Sequence, residues 1–96
     1  MEAGNYKDAL SLLDKSLKMN KQVLGDEHYS NGEIQMVMAQ VYMKLKEFES
    51  AVNVLSSVWE VREAKFGRQS VEVAEVYAEL AKVYLKKKEF EEAINY

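Results

Sequence analysis

In "EFESAVNVLSSVWEVREAKF" the apolar residues Phe48, Ala51, Val52, Leu55, Val58 and Trp59 recur at helical spacing, while Glu49, Ser56, Glu60 and Glu63 take the other side. This pattern predicts a helix of about five turns. "NGEIQMVMAQVYMKL" and "VEVAEVYAELAKVYLKK" each carry two apolar stripes, for example Tyr77/Leu80/Ala81/Tyr84 and Val73/Val76/Leu80/Val83, as expected of helices packed on two sides. Gly25 and Gly67 follow long helices, where a glycine can take a positive φ, and polar residues follow each. Ser70 is an N-cap candidate, and Ser30 with Glu33 forms a candidate capping box. "KLKEF" and "KKKEF" read as tight turns: lysines meet the negative pole of the preceding helix and glutamate meets the positive pole of the next.

The pattern repeats. "KEFESAV" at 46–52 returns as "KEFEEAI" at 88–94, a displacement of 42 that also aligns Ala9/Ala51/Ala93, Leu13/Leu55, Gly25/Gly67, Glu33/Glu75, Ala39/Ala81, Val41/Val83 and Tyr42/Tyr84. Size and polarity persist at Tyr6/Phe48/Phe90, Leu10/Val52/Ile94, Ile34/Val76, Met38/Leu80 and Leu24/Phe66. A fixed period in this range signals a solenoid or array. Antiparallel helices joined by a short turn must approach closely, so a small side chain at Ala39/Ala81 and Ala51/Ala93 leaves room for the rings of Tyr42/Tyr84 and Phe48/Phe90.

Composition narrows the function. The chain is 30% charged and 48% hydrophobic, with no proline and four glycines, which suits a helical array rather than a disordered or membrane-spanning segment. A net charge of −3, with 13 basic and 16 acidic residues interspersed, offers no broad positive field for a phosphate backbone, so nucleic acid is not an expected partner. Without cysteine there is neither a disulfide nor a thiolate metal site. "MEAGNYKDAL" has no apolar core of a signal peptide, and a cytoplasmic location is the default expectation.

"YAELAKVYLKKKEFEEAINY" resembles a tetratricopeptide repeat: Tyr77, Leu80, Ala81, Tyr84, Phe90 and Ala93 occupy its signature places, as do Met38, Ala39, Tyr42, Phe48 and Ala51 one repeat earlier. The long period, with "LGDEH" and "FGRQS" after long second helices, is similar to the kinesin-light-chain type of that repeat. The resemblance implies an all-α, right-handed superhelical solenoid of antiparallel helix pairs. It divides the chain into 1–25, the end of one repeat; 26–67, a complete repeat; and 68–96, a partial repeat made of a first helix and the opening of a second. Departures from the pattern are Tyr29 in place of a proline after His28, Gln35 in place of the first aromatic, and Ser16 and Val58 in place of alanine.

By the same resemblance the outward positions of each first helix line a concave groove: Glu33, Met36, Gln40, Met43, Glu75, Ala78, Lys82 and Leu85. None is asparagine, so neither the carboxylate clamp that binds chaperone tails nor the paired asparagines of kinesin light chains is carried over. Only Lys82 in this set could pair with a terminal carboxylate, which suits the groove to a peptide with apolar anchors and mixed charge. Met36 and Met43 fit apolar ligands and fit core packing equally well.

Other candidate chemistry resolves into structure. His28 beside Asp26 and Glu27 reads as a solvated loop residue, since a single histidine without cysteine makes a poor metal site. The six tyrosines and Trp59 fall mostly in the core phase of the repeat. Glu91, Glu92 and the lysines at 86–88 read as exposed helix ends. No nucleophile stands with a paired base and no glycine-rich phosphate loop is present, so the expectation is a non-enzymatic chain without cofactor or metal.

The function these features point to is a protein-interaction scaffold holding a peptide or helix of a partner in its groove. The alternative is a structural spacer in a cytoskeletal or ciliary assembly that binds through its convex face and edges. A membrane is not an expected partner. The out-of-phase ends further predict a piece of a longer solenoid, with Leu10, Leu13 and Leu17 lacking a first-helix partner and Ile94 and Tyr96 lacking a following turn.

Overall fold

The computed structural model describes residues 3–26 and 28–95. Four helices, α1 (Ala3–Leu24), α2 (Asn31–Lys44), α3 (Phe48–Phe66) and α4 (Val71–Asn95), account for nearly all of them, with no strand among the described residues. Each helix packs on the next in sequence, and α2 also touches α4. The result is a thin all-α array of 46 × 32 × 16 Å in which α2 and α4 are first helices and α1 and α3 are second helices of the repeat.

The core lies where α2, α3 and α4 meet. Ala39, Ala51, Leu55, Val58, Val76 and Val83 are essentially inaccessible, and Phe48 is buried with them. At the repeat's close-approach positions Ala39 is 1% exposed and Ala51 0%, while the ring of Tyr42 packs against the same cluster. Val58, the departure from alanine, is accommodated from the opposite helix. A Cβ on Gly32 of α2 would stand 3.3 Å from Val58 Cγ1, so the missing side chain of one residue offsets the added methyls of the other.

The turn between α2 and α3 forms as expected and has a defined hydrogen-bond pattern. Glu47 N–H donates to Tyr42 C=O at 2.9 Å and Lys46 N–H to Met43 C=O at 3.0 Å, the two bonds of a Schellman motif. Lys46, at φ 65°, occupies the left-handed position that glycine usually takes. The copy of this turn does not form. Lys86, Lys87, Lys88, Glu89 and Phe90 continue α4 without a break, contrary to the tight turn expected of "KKKEF". A turn there would force Lys88 into the left-handed region and forfeit several backbone hydrogen bonds. Residues 89–95 offer little apolar surface in return: Phe90, Ala93 and Ile94. Instead Phe90 lies against Phe48, with centroids 5.7 Å apart, and under the Lys46 ammonium at 6.0 Å.

The inter-repeat loops contain Gly25 and Gly67 at positive φ, as expected. Ser70 caps α4, its Oγ accepting from Val73 N–H at 3.2 Å and donating to Gly67 C=O at 2.9 Å. Ser30 makes no side-chain cap, so the capping box with Glu33 is absent. Its hydroxyl is taken by Asn20 Nδ2 at 2.9 Å and His28 Nδ1 at 2.8 Å. His28 is accordingly half-buried, stacked on Tyr29 with centroids 4.6 Å apart, rather than a solvated residue; Glu27 lies outside the described residues.

Two polar locks join successive repeats. Asn31, buried at the start of α2, donates through Nδ2 to the carbonyls of Gly25 and Asp26, each at 3.1 Å, and accepts from Asn20 at 2.6 Å. One period later than Asn20 stands Arg62, also buried, which donates to the Glu72 carbonyl at 2.9 Å and to Glu75 Oε2 at 3.2 Å. The same repeat position therefore ties each second helix to the next first helix, once with an amide and once with a guanidinium.

The apolar residues at the ends are distributed differently from expectation. Leu17 is buried and Leu10 and Leu13 are half-buried, whereas the exposed large apolar residues of α1 are Leu12 (65%), Met19 (66%), Val23 (79%) and Leu24 (46%). Ile94 is exposed, and Tyr96 lies outside the described residues.

Three outcomes test this packing. Ala51→Leu overpacks the α2–α3 contact and lowers stability by about 1–3 kcal/mol, while Glu49→Leu, on the exposed face, shifts it by no more than about 0.5 kcal/mol in thermal or urea unfolding. Asn31→Ala removes the buried amide that holds the Gly25 and Asp26 carbonyls and Asn20, and costs about 1–3 kcal/mol in the same measurement. Lys46→Gly relieves the left-handed backbone and raises stability by about 0.5–1 kcal/mol.

Candidate partner-binding groove

The first helices α2 and α4 present one common edge. On α2, Glu33 and Gln40 are exposed, and Met36 and Met43 are half-buried with their side chains packed against the core cluster. On α4, Ala78 and Lys82 are exposed and Leu85 is 63% exposed. Glu75 is exposed but engaged by Arg62, whose buried guanidinium already compensates its charge.

Where the C-terminal end of α2 faces α4, a cavity of about 220 Å³ opens between the helices, lined by Met43, Lys44, Lys46, Lys82 and Lys86. Of the residues expected to line the groove, it brings together Met43 and Lys82. Lys44, Lys46 and Lys86 were missed because lysines flanking a turn read as helix-end charges; yet Lys44 and Lys86 stand one period apart and so must recur on the same edge. Lys82 pairs with Glu79 at 3.2 Å and Lys86 with Glu89 at 3.5 Å, both within α4. Among the described residues no carboxylate lies within 4.0 Å of Lys44 or Lys46. The Lys86–Glu89 pair is exposed at both ends and contributes little, whereas the Glu79 carboxylate that holds Lys82 is only 12% exposed. A chain that is acidic overall thus carries a local basic rim around an apolar floor.

Other polar and aromatic groups sit apart from this cavity. Tyr77 and Tyr84 are 53% and 56% exposed, so the core-phase reading fails for them while it holds for Tyr42, the counterpart of Tyr84 on α2. The cause is the straight course of α4, which leaves no second helix over that face among the described residues. Trp59 is half-buried beside Tyr77 and Leu80, and its indole N–H is buried without a hydrogen-bond partner. Arg68 donates to Glu63 at 3.0 Å on the open surface, and this hydrogen bond, with the charge of Glu63, raises its pKa further. Among the described residues no group of three or more histidine, aspartate or glutamate side chains converges as a metal site would require.

No helix of the described residues is long and apolar enough to cross a membrane. No curated protein matches the sequence significantly. The family profile described as tetratricopeptide repeat matches residues 1–63, and a second profile of the same description matches 74–96. With stacked helices of the right phase and a match over most of its length, the chain belongs to the tetratricopeptide repeat family.

Proposed function

We propose that the chain is a non-catalytic scaffold whose α2–α4 groove holds an acidic segment of a partner protein, with an apolar side chain of that segment seated on Met43. Repeats of this family generally mediate protein–protein interaction. The observation that carries the finer reading is the convergence of Lys44, Lys46, Lys82 and Lys86 around Met43. Four ammonium groups around an apolar floor, two of them without a carboxylate partner within 4.0 Å among the described residues, match carboxylates flanking an apolar anchor better than they would a basic or neutral peptide. Lys46 adds to this. Its left-handed backbone is a cost that glycine would remove, and keeping a lysine there supplies a fourth charge to the rim. Gln40, Ala78 and Leu85 extend the surface along the groove, and Glu33 borders it as an acidic limit that discourages the peptide from sliding toward the start of α2. The 42-residue period supports a long repeat of the kinesin-light-chain-like type within the family.

Binding is micromolar and falls with ionic strength. In a fluorescence titration with a peptide carrying glutamates on both sides of a leucine, neutralising Lys44, Lys82 and Lys86 together to glutamine weakens binding about tenfold, as three exposed charge pairs of about 0.2–1 kcal/mol each would allow. Far-UV circular dichroism stays helical. Leu85→Asp weakens it further without unfolding, while Met36→Asp is avoided because Met36 packs against the core. Equal affinity of the original and triply neutralised chains for the peptide overturns this reading.

A further inference from the structure

The four lysines around Met43 fall into two unlike pairs. On the α4 side, Lys82 is held by Glu79 at 3.2 Å and Lys86 by Glu89 at 3.5 Å. On the α2 side, Lys44 and Lys46 have no carboxylate within 4.0 Å among the described residues, although only Leu45 separates them. The negative pole of α2 beside them is already satisfied: the carbonyls of Val41, Tyr42 and Met43 accept from the N–H groups of Leu45, Glu47 and Lys46 at 3.1, 2.9 and 3.0 Å. Those bonds occupy the N–H groups of all three turn residues. An anion entering the cavity at this side therefore meets two ammonium groups and none of the turn's backbone donors. Both walls of the cavity, α2 with its turn and α4, lie among the described residues.

Building on the reading of this groove as the seat of an acidic segment, we infer that the residue of that segment beside Lys44 and Lys46 is a phosphorylated serine or threonine. A carboxylate there brings one charge to two ammonium groups that have no other partner. A phosphomonoester near neutral pH carries about −1.5 to −2 charges and three strong acceptor oxygens on one centre, so it compensates both ammonium groups at once. Lysine suits this role, because it binds phosphate as a point charge with rotatable donors and needs no preset fork. The cavity of about 220 Å³ then takes the phosphate on its Lys44–Lys46 side, the apolar anchor on Met43, and the segment's carboxylates toward Lys82 and Lys86. A recess between two helices fits a single side chain better than the flat surface of a bilayer, and the chain's net charge of −3 opposes approach to an anionic membrane. Phosphorylation of the partner thus raises its affinity for the groove, and dephosphorylation lowers it again.

Fluorescence titration with two peptides tests this: one carries glutamates on both sides of a leucine, and the other has one of those glutamates replaced by phosphoserine. The phosphoserine peptide binds about fivefold more tightly, as one further exposed charge pair allows. Its advantage shrinks from about pH 7.5 to about pH 5.5, because the phosphate takes up its second proton with a pKa of about 6 while the glutamates stay ionised. The groups facing the site, the four lysines with Glu79 and Glu89, are common to both titrations, so the affinity ratio isolates the phosphate. Lys44→Gln combined with Lys46→Gly, which keeps the left-handed backbone, brings the ratio to about one. Lys82→Gln with Lys86→Gln weakens both peptides and leaves the ratio unchanged. Equal affinity of the two peptides for the original chain overturns the inference, while a glutamate peptide that still loses affinity on neutralising Lys44, Lys82 and Lys86 leaves the acidic-segment reading standing. If neither peptide binds, both fall. Displacement of the phosphopeptide by inorganic phosphate at equal concentration, or tighter binding to phosphatidylcholine vesicles containing phosphatidic acid, also overturns it, because the site would then take a free anion or a lipid headgroup.

Discussion

The array depends on how closely α2 and α3 approach at Ala39 and Ala51. Neither residue has a side chain beyond Cβ, and both are excluded from water, so the helix axes come near enough for Tyr42 and Phe48 to close the ends of the contact. Everything else in the repeat is arranged around that distance. Val58 can be larger than the family's usual alanine only because Gly32 opposite it has no side chain at all. The three-residue connection can be this short only because the helices it joins are already adjacent, and its Schellman bonds then satisfy the carbonyls of Tyr42 and Met43.

Stacking of one repeat on the next uses a different kind of force. Leucines and valines supply area, but they slide; the register comes from polar groups that must be satisfied once buried. Asn20 with Asn31 does this at the first joint, and Arg62 with the Glu72 carbonyl at the second. The amide pair draws two loop carbonyls inward, whereas the guanidinium reaches past its loop to the first turn of α4. The two joints therefore have the same position in the repeat and different local chemistry.

Much of this was legible in the sequence, because period and phase are carried by side-chain size. The alanine positions, the two loop glycines, the cap at Ser70 and the turn at Lys46–Glu47 all follow from spacing and residue type. What escaped was whatever depends on competition between neighbours. "KLKEF" and "KKKEF" are nearly identical, yet one turns and the other does not, since the outcome is decided by how much apolar surface the following segment can bury. The same straightness exposes Tyr77 and Tyr84, which share a phase with packed residues. Of the groove, the outward positions were legible, but Met36 and Met43 divide their surface between core and groove, and three of the four lysines around Met43 were hidden as turn residues. Polar pairs such as Asn20 and Asn31 leave no periodic trace, because their partners one repeat on are Arg62 and Val73.

The unbroken course of α4 has a mechanical consequence. With 25 residues at about 1.5 Å each, it is roughly 37 Å long, most of the 46 Å long dimension of the molecule. A tensile load applied to its two ends travels along a single hydrogen-bonded backbone rod. A load between α1 and α3 must instead cross the loop between α1 and α2 and the tight turn, and there it peels hairpins apart one contact at a time. The array is therefore stiff along one edge and compliant along the other, so that under tension it bends rather than elongates.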